Sequence, residues 1–447
     1  MSPFDLLIKN ATIVTCDSND HVIADGALGI RGDRIAYVGP SASLPPDCRA
    51  GRTLDATGRV VTPGFINVHT HAILTMVRGV AEDLGFAPAY TPGIPHGHDV
   101  TPDEAIALAQ LGATEALLFG STLINDTYVH ADLTIKPMAD VGLRVFSCGR
   151  IHDADFALIG DGRWEHHDRI GDETLGLAVA LAERWHGRES GRIGVQFAAH
   201  APDTCSDRLL GKIAVEAARQ NLRVNTHLAQ SQKEVAQVKA RSGKTPAQVL
   251  NDAGLLNDRL TAAHCIFVDE NDIALCGRAS INVAHVPKGN ATGGTIAPTV
   301  KLRNAGASLT LGTDNMHADM VEVMRWALAV GRVQEGKVSD AWQPRDVLRM
   351  ATINGARAMG LDHEIGSLEL GKKADAVVFD FRRPHLVPNV NPIGNIVHVG
   401  QGRDVETVIV DGRVVVEGGE PVLVKREAII AAAQHAADAL WARAKAH

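Results

Sequence analysis

The sequence predicts an α/β protein: a (β/α)8 barrel with a small composite β-sandwich built from both termini. Three observations predict it. Through the middle of the chain, short apolar segments alternate with segments of helical apolar spacing. Eight of the apolar segments can be strands. Each of the eight ends on or beside a polar, ligand-type side chain. Eight parallel strands, each followed by a helix, close into a barrel, and the C-terminal ends of those strands form the face where such barrels do chemistry.

In chain order the candidate strands are RVVTPGFINVH, STLINDTYVH, LRVFSCGR, RIGVQFAAH, LRVNTH, LTAAHC, SINVAH and SLTLGTD. They lead in turn to His69 and His71, to Asn125, Asp126 and His130, to Arg150, to His200, to His227, to His264, to His285 and to Asp314. Satisfied core histidines account for one or two such positions, not for a whole ring of strand ends. Residues 61–365 are assigned to the barrel. On either side the texture changes. DLLIKNATIVT, HVIADGALGI and DRIAYVGP near the start, and ADAVVFDF, VETVIVDG and RVVVEGGEPVLV near the end, are short strand-like runs broken by turn residues. Residues 1–60 and 366–425 are therefore read as one shared β domain, and 426–447, rich in helix formers, as a closing helix.

The bulk properties narrow the function. At 447 residues and 45% hydrophobic content the chain can bury a large barrel core and a smaller domain. A net charge of −8 with no basic block argues against nucleic acid or an anionic membrane as a partner. The start, MSPFDLLIKN, is not a signal peptide, and no run of 18 apolar residues exists. The six cysteines are scattered, with no CxxC pair, and read as reduced thiols of a cytoplasmic protein acting on a small molecule.

His69-Thr70-His71 places two imidazoles two residues apart on one strand, so both face the barrel mouth. With His227 from the fifth strand and Asp314 from the eighth they form a set of three histidines and one carboxylate. That set suits one divalent ion with an open position for water. Neutral imidazole favours zinc, iron, nickel or cobalt over calcium or magnesium. Asp314 can bind the ion and also accept the water proton.

The ordered motifs PGFINVHTHAILTMVRG, AAHAPDTCS, NTHLAQSQKEV, AAHC, VAHVPKGNATGGTIAP and LGTDN, with GSLELGKKADAVVFD beyond the barrel, resemble the amidohydrolase superfamily. Within it they are similar to the branch of S-adenosylhomocysteine and methylthioadenosine deaminases and triazine hydrolases. The resemblance covers nearly the whole chain. It implies a TIM-barrel hydrolase of carbon–nitrogen bonds and a single ion, usually zinc with iron(II) as an alternative, on His69, His71, His227 and Asp314. Two-metal relatives carry a modified Lys at the end of the fourth strand, and RIGVQFAAH has none. It further implies that His264 hydrogen-bonds the attacking water or the departing group, that His200 contacts substrate, and that the chain forms a homodimer or higher homo-oligomer. His285 and Asn315 are read as further substrate contacts.

The pattern breaks at Gln230. Deaminases of this branch carry a Glu three residues after the fifth-strand His, which shuttles a proton to the substrate ring; here the position is an amide. An amide donates or accepts a hydrogen bond but relays no proton, and acid–base help is worth roughly 10² to 10⁴ in rate. Three explanations compete. Glu234 substitutes, which its place on the following helix disfavours; His264, His285 or Asp314 carries the proton; or the reaction needs no ring protonation. The expected chemistry is hydrolysis of a small nitrogen-containing substrate by metal-bound hydroxide, first as a deaminase. The alternative is cleavage of an amide, cyclic amide, C–halogen or C–alkylamine bond, which Gln230 favours. Two smaller departures are Lys288, where relatives carry Ser, and the Pro- and Gly-rich loop after the first strand with His96 and His98. Lys288 is either an anion contact or a surface residue, and the loop histidines are read as exposed or substrate-facing rather than as a second metal site.

Overall fold

The computed structural model of the chain describes residues 3–84, 91, 93–314 and 317–444. Eight parallel strand positions form the barrel: Phe65–Thr70, Ser121–Tyr128, Arg144–Ile151, the split pair Ile193–Val195 and Phe197–Ala199, Val224–Leu228, Leu260–His264, Asn282–His285 and Ser308–Leu311. Each pairs with the next in parallel register, for example Val224 with Leu260 and Asn282 with Ser308. The runs are apolar because helices cover the outer face and side chains fill the inner one, so nearly every strand residue is buried.

The seam between first and eighth strands closes the barrel at the site itself. Thr70 bridges Asp314 in parallel. The Asp314 N–H donates to the His69 carbonyl at 3.0 Å, and the His71 N–H to the Asp314 carbonyl at 3.0 Å. Below them Asn67 Nδ2 donates to Thr313 Oγ1 at 2.8 Å.

The first sequence-predicted strand is two strands. Arg59–Pro63 belongs to the terminal sheet, and the chain crosses into the barrel at Gly64. Only glycine fits there, since a Cβ would lie 2.1 Å from Thr122 Oγ1.

The two ends of the chain build one continuous mixed sheet of nine strands. Strand Phe4–Val14 pairs with Val22–Arg31 on one edge; on the other it forks, its first half taking Ala50–Asp55 and its second Arg59–Pro63. Period-two alternation sorts the faces. Val61, Ala376 and Val378 join a core inside this domain, whereas Val60, Val377 and Phe379 join the barrel core. Arg144, at the base of the third barrel strand, is buried between Asp375 and Asp411 of the sheet at 3.2 and 2.5 Å.

The closing helix, Arg426–Ala444, buries Ile429, Ala433, Ala436 and Leu440, one stripe at helical spacing. It packs on helix Pro102–Leu118 and on the turn after the first barrel strand, where Trp441 Nε1 donates to the Met76 carbonyl at 2.8 Å. Among the described residues no helix is long and apolar enough to cross a membrane.

Candidate active site

The strand ends bring His69, His71, His227, His264 and Asp314 together, all buried. His71 Nε2 lies 3.3 Å from His227 Nε2 and 3.3 Å from Asp314 Oδ1. His69 Nε2 is 3.6 Å from the same oxygen, too far for a hydrogen bond, and has no partner. His264 Nε2 stands 4.0 Å from Asp314 Oδ2.

Backbone carbonyls fix the rings. His227 Nδ1 meets the His200 carbonyl at 2.7 Å, and His71 Nδ1 meets the Thr127 carbonyl. A carbonyl only accepts, so each ring carries its proton on Nδ1, and both Nε2 lone pairs face one another. Lone pairs 3.3 Å apart with a carboxylate beside them repel unless a cation lies between. The donor set therefore fits a metal ion: His69, His71 and His227 offer ligand atoms within 4.8 Å of one another, as do His69, His264 and Asp314.

Electrostatics agree. Burial pushes His69 down to about 4 and holds His227 and His200 well below the usual histidine range, a direction that favours neutral rings. His264 and Asp314 both adopt left-handed backbone, φ 72° and 65°, conformations that cost non-glycine residues roughly 1–3 kcal/mol.

Around this centre, His264 Nδ1 meets Asn290 Oδ1 at 3.0 Å. His200 Nδ1 meets Thr204 Oγ1 at 2.7 Å, and its ring lies 5.0 Å from that of His227. His285 is fully buried, with neither ring nitrogen partnered among the described residues. Gln230 sits half-buried after the fifth strand, and its side-chain amide has no hydrogen-bond partner among the described residues. Asn315 lies outside the described residues.

Two open readings are resolved by contacts. Lys288 Nζ is tied to Glu322 Oε2 at 2.8 Å, bridging the helices that follow strands seven and eight. His98 Nε2 contacts Arg150 Nη2 at 2.9 Å, and His96 Nδ1 lies 3.4 Å from Asp99, so this loop pair forms part of a wall rather than a second ion site. That wall was only partly legible. Arg150 lies over the rings of Tyr128 and Phe156 at 5.3 and 4.2 Å, and Phe156 meets His200 edge-on at 5.2 Å. The R-I-H alternation at Arg150 and His152 could have flagged it; nothing in the sequence flags Phe156. Asp126, noted as a strand end, accepts from the Ala72 N–H at 2.7 Å, and burial raises its carboxyl to about 6.

Residues 60–415 match the amidohydrolase family, and the chain belongs to it. It is 36% identical over 438 residues to a 5-methylthioadenosine/S-adenosylhomocysteine deaminase of Pelotomaculum thermopropionicum, covering 96% of this chain and 97% of that one. A 5'-deoxyadenosine deaminase of Methanosarcina acetivorans is 34% identical over 451 residues, covering 99% and 100%. Among solved structures, an adenosine deaminase from Xanthomonas campestris with bound zinc superposes with a TM-score of 0.87 at 28% identity, covering 98% of this chain and 99% of that one. An atrazine chlorohydrolase from Arthrobacter aurescens complexed with zinc gives 0.85 at 23% identity over 97% and 100%, a likeness of fold.

Proposed function

We propose that this amidohydrolase removes an amino group from a small nitrogen heterocycle by hydrolysis, with one divalent ion held by His69, His71, His227 and Asp314. The observation that carries the reading is the meeting of the unprotonated Nε2 atoms of His71 and His227 beside Asp314, both rings locked from behind by carbonyls. Full-length relatives named as deaminases support the reaction class. Zinc is the proposed ion, with iron(II) as the alternative the same ligands accept.

A bound divalent ion supplies Lewis acidity and brings the pKa of water toward neutrality. The chain's own residues do the rest. Asp314, its carboxylate 3.3 Å from His71 Nε2, takes a proton from the attacking water. His264 carries its proton on Nδ1, toward Asn290, so its Nε2 accepts a hydrogen bond and orients that water. A C–O bond forms at the ring carbon, the C–N bond breaks, and Asp314 returns the proton to the departing amine, which leaves as ammonia. Gln230 hydrogen-bonds the substrate, and His200 and His285 stand along the pocket. Family likeness also supports a homo-oligomer, which light scattering on the purified protein checks.

Gln230 favours a second reading, hydrolysis of an amide or of a C–halogen bond, because it cannot relay a ring proton. Metal content per chain, measured with ammonia release from a panel of amino-heterocycles, separates the two. One zinc or iron with ammonia release supports deamination; one metal without ammonia from any member moves the assignment to the second reading; no metal, even after reconstitution, refutes both. In Gln230→Glu, the expected result is a gain of roughly 10² or more in ammonia release from adenine-like amines.

A further inference from the structure

Glu234 is fully buried, and among the described residues no Lys, Arg or His pairs with it. Its Oε1 accepts from the Ala229 N–H at 2.8 Å and its Oε2 from the Gln230 N–H at 2.8 Å. A lone buried carboxylate is costly, and here burial first, then nearby Asp203, pushes its pKa well up. What this buried carboxyl meets is a pair of backbone amides rather than a cation. Ser231 already caps this helix, accepting from the Glu234 N–H at 3.1 Å. Two parallel N–H donors on consecutive residues match the two oxygens of one carboxylate; an amide offers a single acceptor and turns an NH2 toward the second donor.

The segment it grips must turn sharply. The fifth strand ends at Leu228, and Ala229 is left-handed at φ 49°, a strained state for alanine. The Ala229 carbonyl is held from the far side by the Phe267 N–H at 2.9 Å, from the loop after the sixth strand. Gln230 is therefore gripped through its backbone, while its side-chain amide has no partner among the described residues. His227 is anchored separately, its N–H and Nδ1 both meeting the His200 carbonyl, at 3.0 and 2.7 Å.

We infer that Glu234 is a positioning residue for the reaction: its carboxylate clamps the Ala229–Gln230 amides and so sets where the Gln230 side chain meets the substrate. This rests on the role given to Gln230 above.

The test is a double-mutant cycle in the metal-loaded enzyme, joined to amide hydrogen exchange. Glu234→Gln should lower kcat about 10- to 100-fold with KM changed less than about threefold, in line with the cost of a small misplacement. Metal content should match the parent enzyme, and exchange at the Ala229 and Gln230 amides should accelerate. In a Gln230→Ala background the same substitution should cost less than about threefold, because its effect runs through Gln230. Equal fold-losses in both backgrounds, or metal loss from Glu234→Gln, overturn the clamp. Full activity of Gln230→Ala instead overturns the role of Gln230, and the clamp with it. Should Glu234→Gln not fold, Glu234→Asp, too short to span both amides, takes its place in the cycle with the same expectations.

Discussion

Asn290 makes one contact that decides how His264 works, and removing it has a calculable effect. Its Oδ1 lies 3.0 Å from His264 Nδ1, with both residues buried. The neutral imidazole has two tautomers, and this bond selects the one with Nε2 unprotonated toward Asp314. A buried hydrogen bond of this kind is worth about 1 kcal/mol net, a factor of about five in the tautomer ratio. Asn290→Ala should therefore lower kcat/KM by no more than about fivefold and leave metal content unchanged. His264→Ala, which removes the water-orienting group outright, should cost about 10² to 10⁴. Asn290→Asp keeps the acceptor and should retain most activity. Steady-state ammonia release gives the rates, and the ¹⁵N shifts of His264 report the tautomer directly. A loss in Asn290→Ala as deep as in His264→Ala, with the tautomer unchanged, would refute the argument and make Asn290 a substrate contact.

Three further outcomes test the packing that holds the site. Burial depresses His285 to about 3 and His152 to about 2, so both are neutral when folded. Their contribution is fully present above the unfolded value of about 6.5 and is lost as pH falls from there toward the folded values, at up to about 1.4 kcal/mol per pH unit for each. Urea unfolding between pH 7.5 and 5 should show that slope, shallower by one histidine's share in His285→Asn. Arg144→Met strands Asp375 and Asp411 and should cost about 3–5 kcal/mol, read as a lower urea midpoint with metal retained in the folded fraction. Gly64→Ala drives a methyl to 2.1 Å from Thr122 Oγ1 and should cost about 1–3 kcal/mol or more by the same assay.

The barrel was legible because parallel strands buried on both faces leave continuous apolar runs, and because each run ends where ligand-type residues gather. His69, His71, His227, His264 and Asp314 could be placed from that rule alone. The backbone carbonyls of Thr127 and His200, which orient two of the rings, leave no mark in a side-chain pattern. The Lys288–Glu322 pair joins residues 34 apart on different helices, so no local spacing shows it. The first strand was read as one because Pro63-Gly64 sits inside an unbroken apolar run; the split follows from the close approach of Thr122, a contact made only in three dimensions. Glu234 was weighed as a stand-in proton carrier, yet both its oxygens are occupied by amides, a use the motif does not reveal.

The contact between Trp441 and the Met76 carbonyl spans 365 residues of chain. At roughly 5–20 residues per second, a ribosome takes about 20 to 70 s to travel from one to the other. Throughout that interval the apolar turn that follows His69 and His71, with Ile73, Leu74 and Val77, packs under helix Pro102–Leu118 but lacks Ala433, Ala436 and Leu440, which complete the cluster. The cluster behind the first two ligands is thus completed only after a long further stretch of chain has been made.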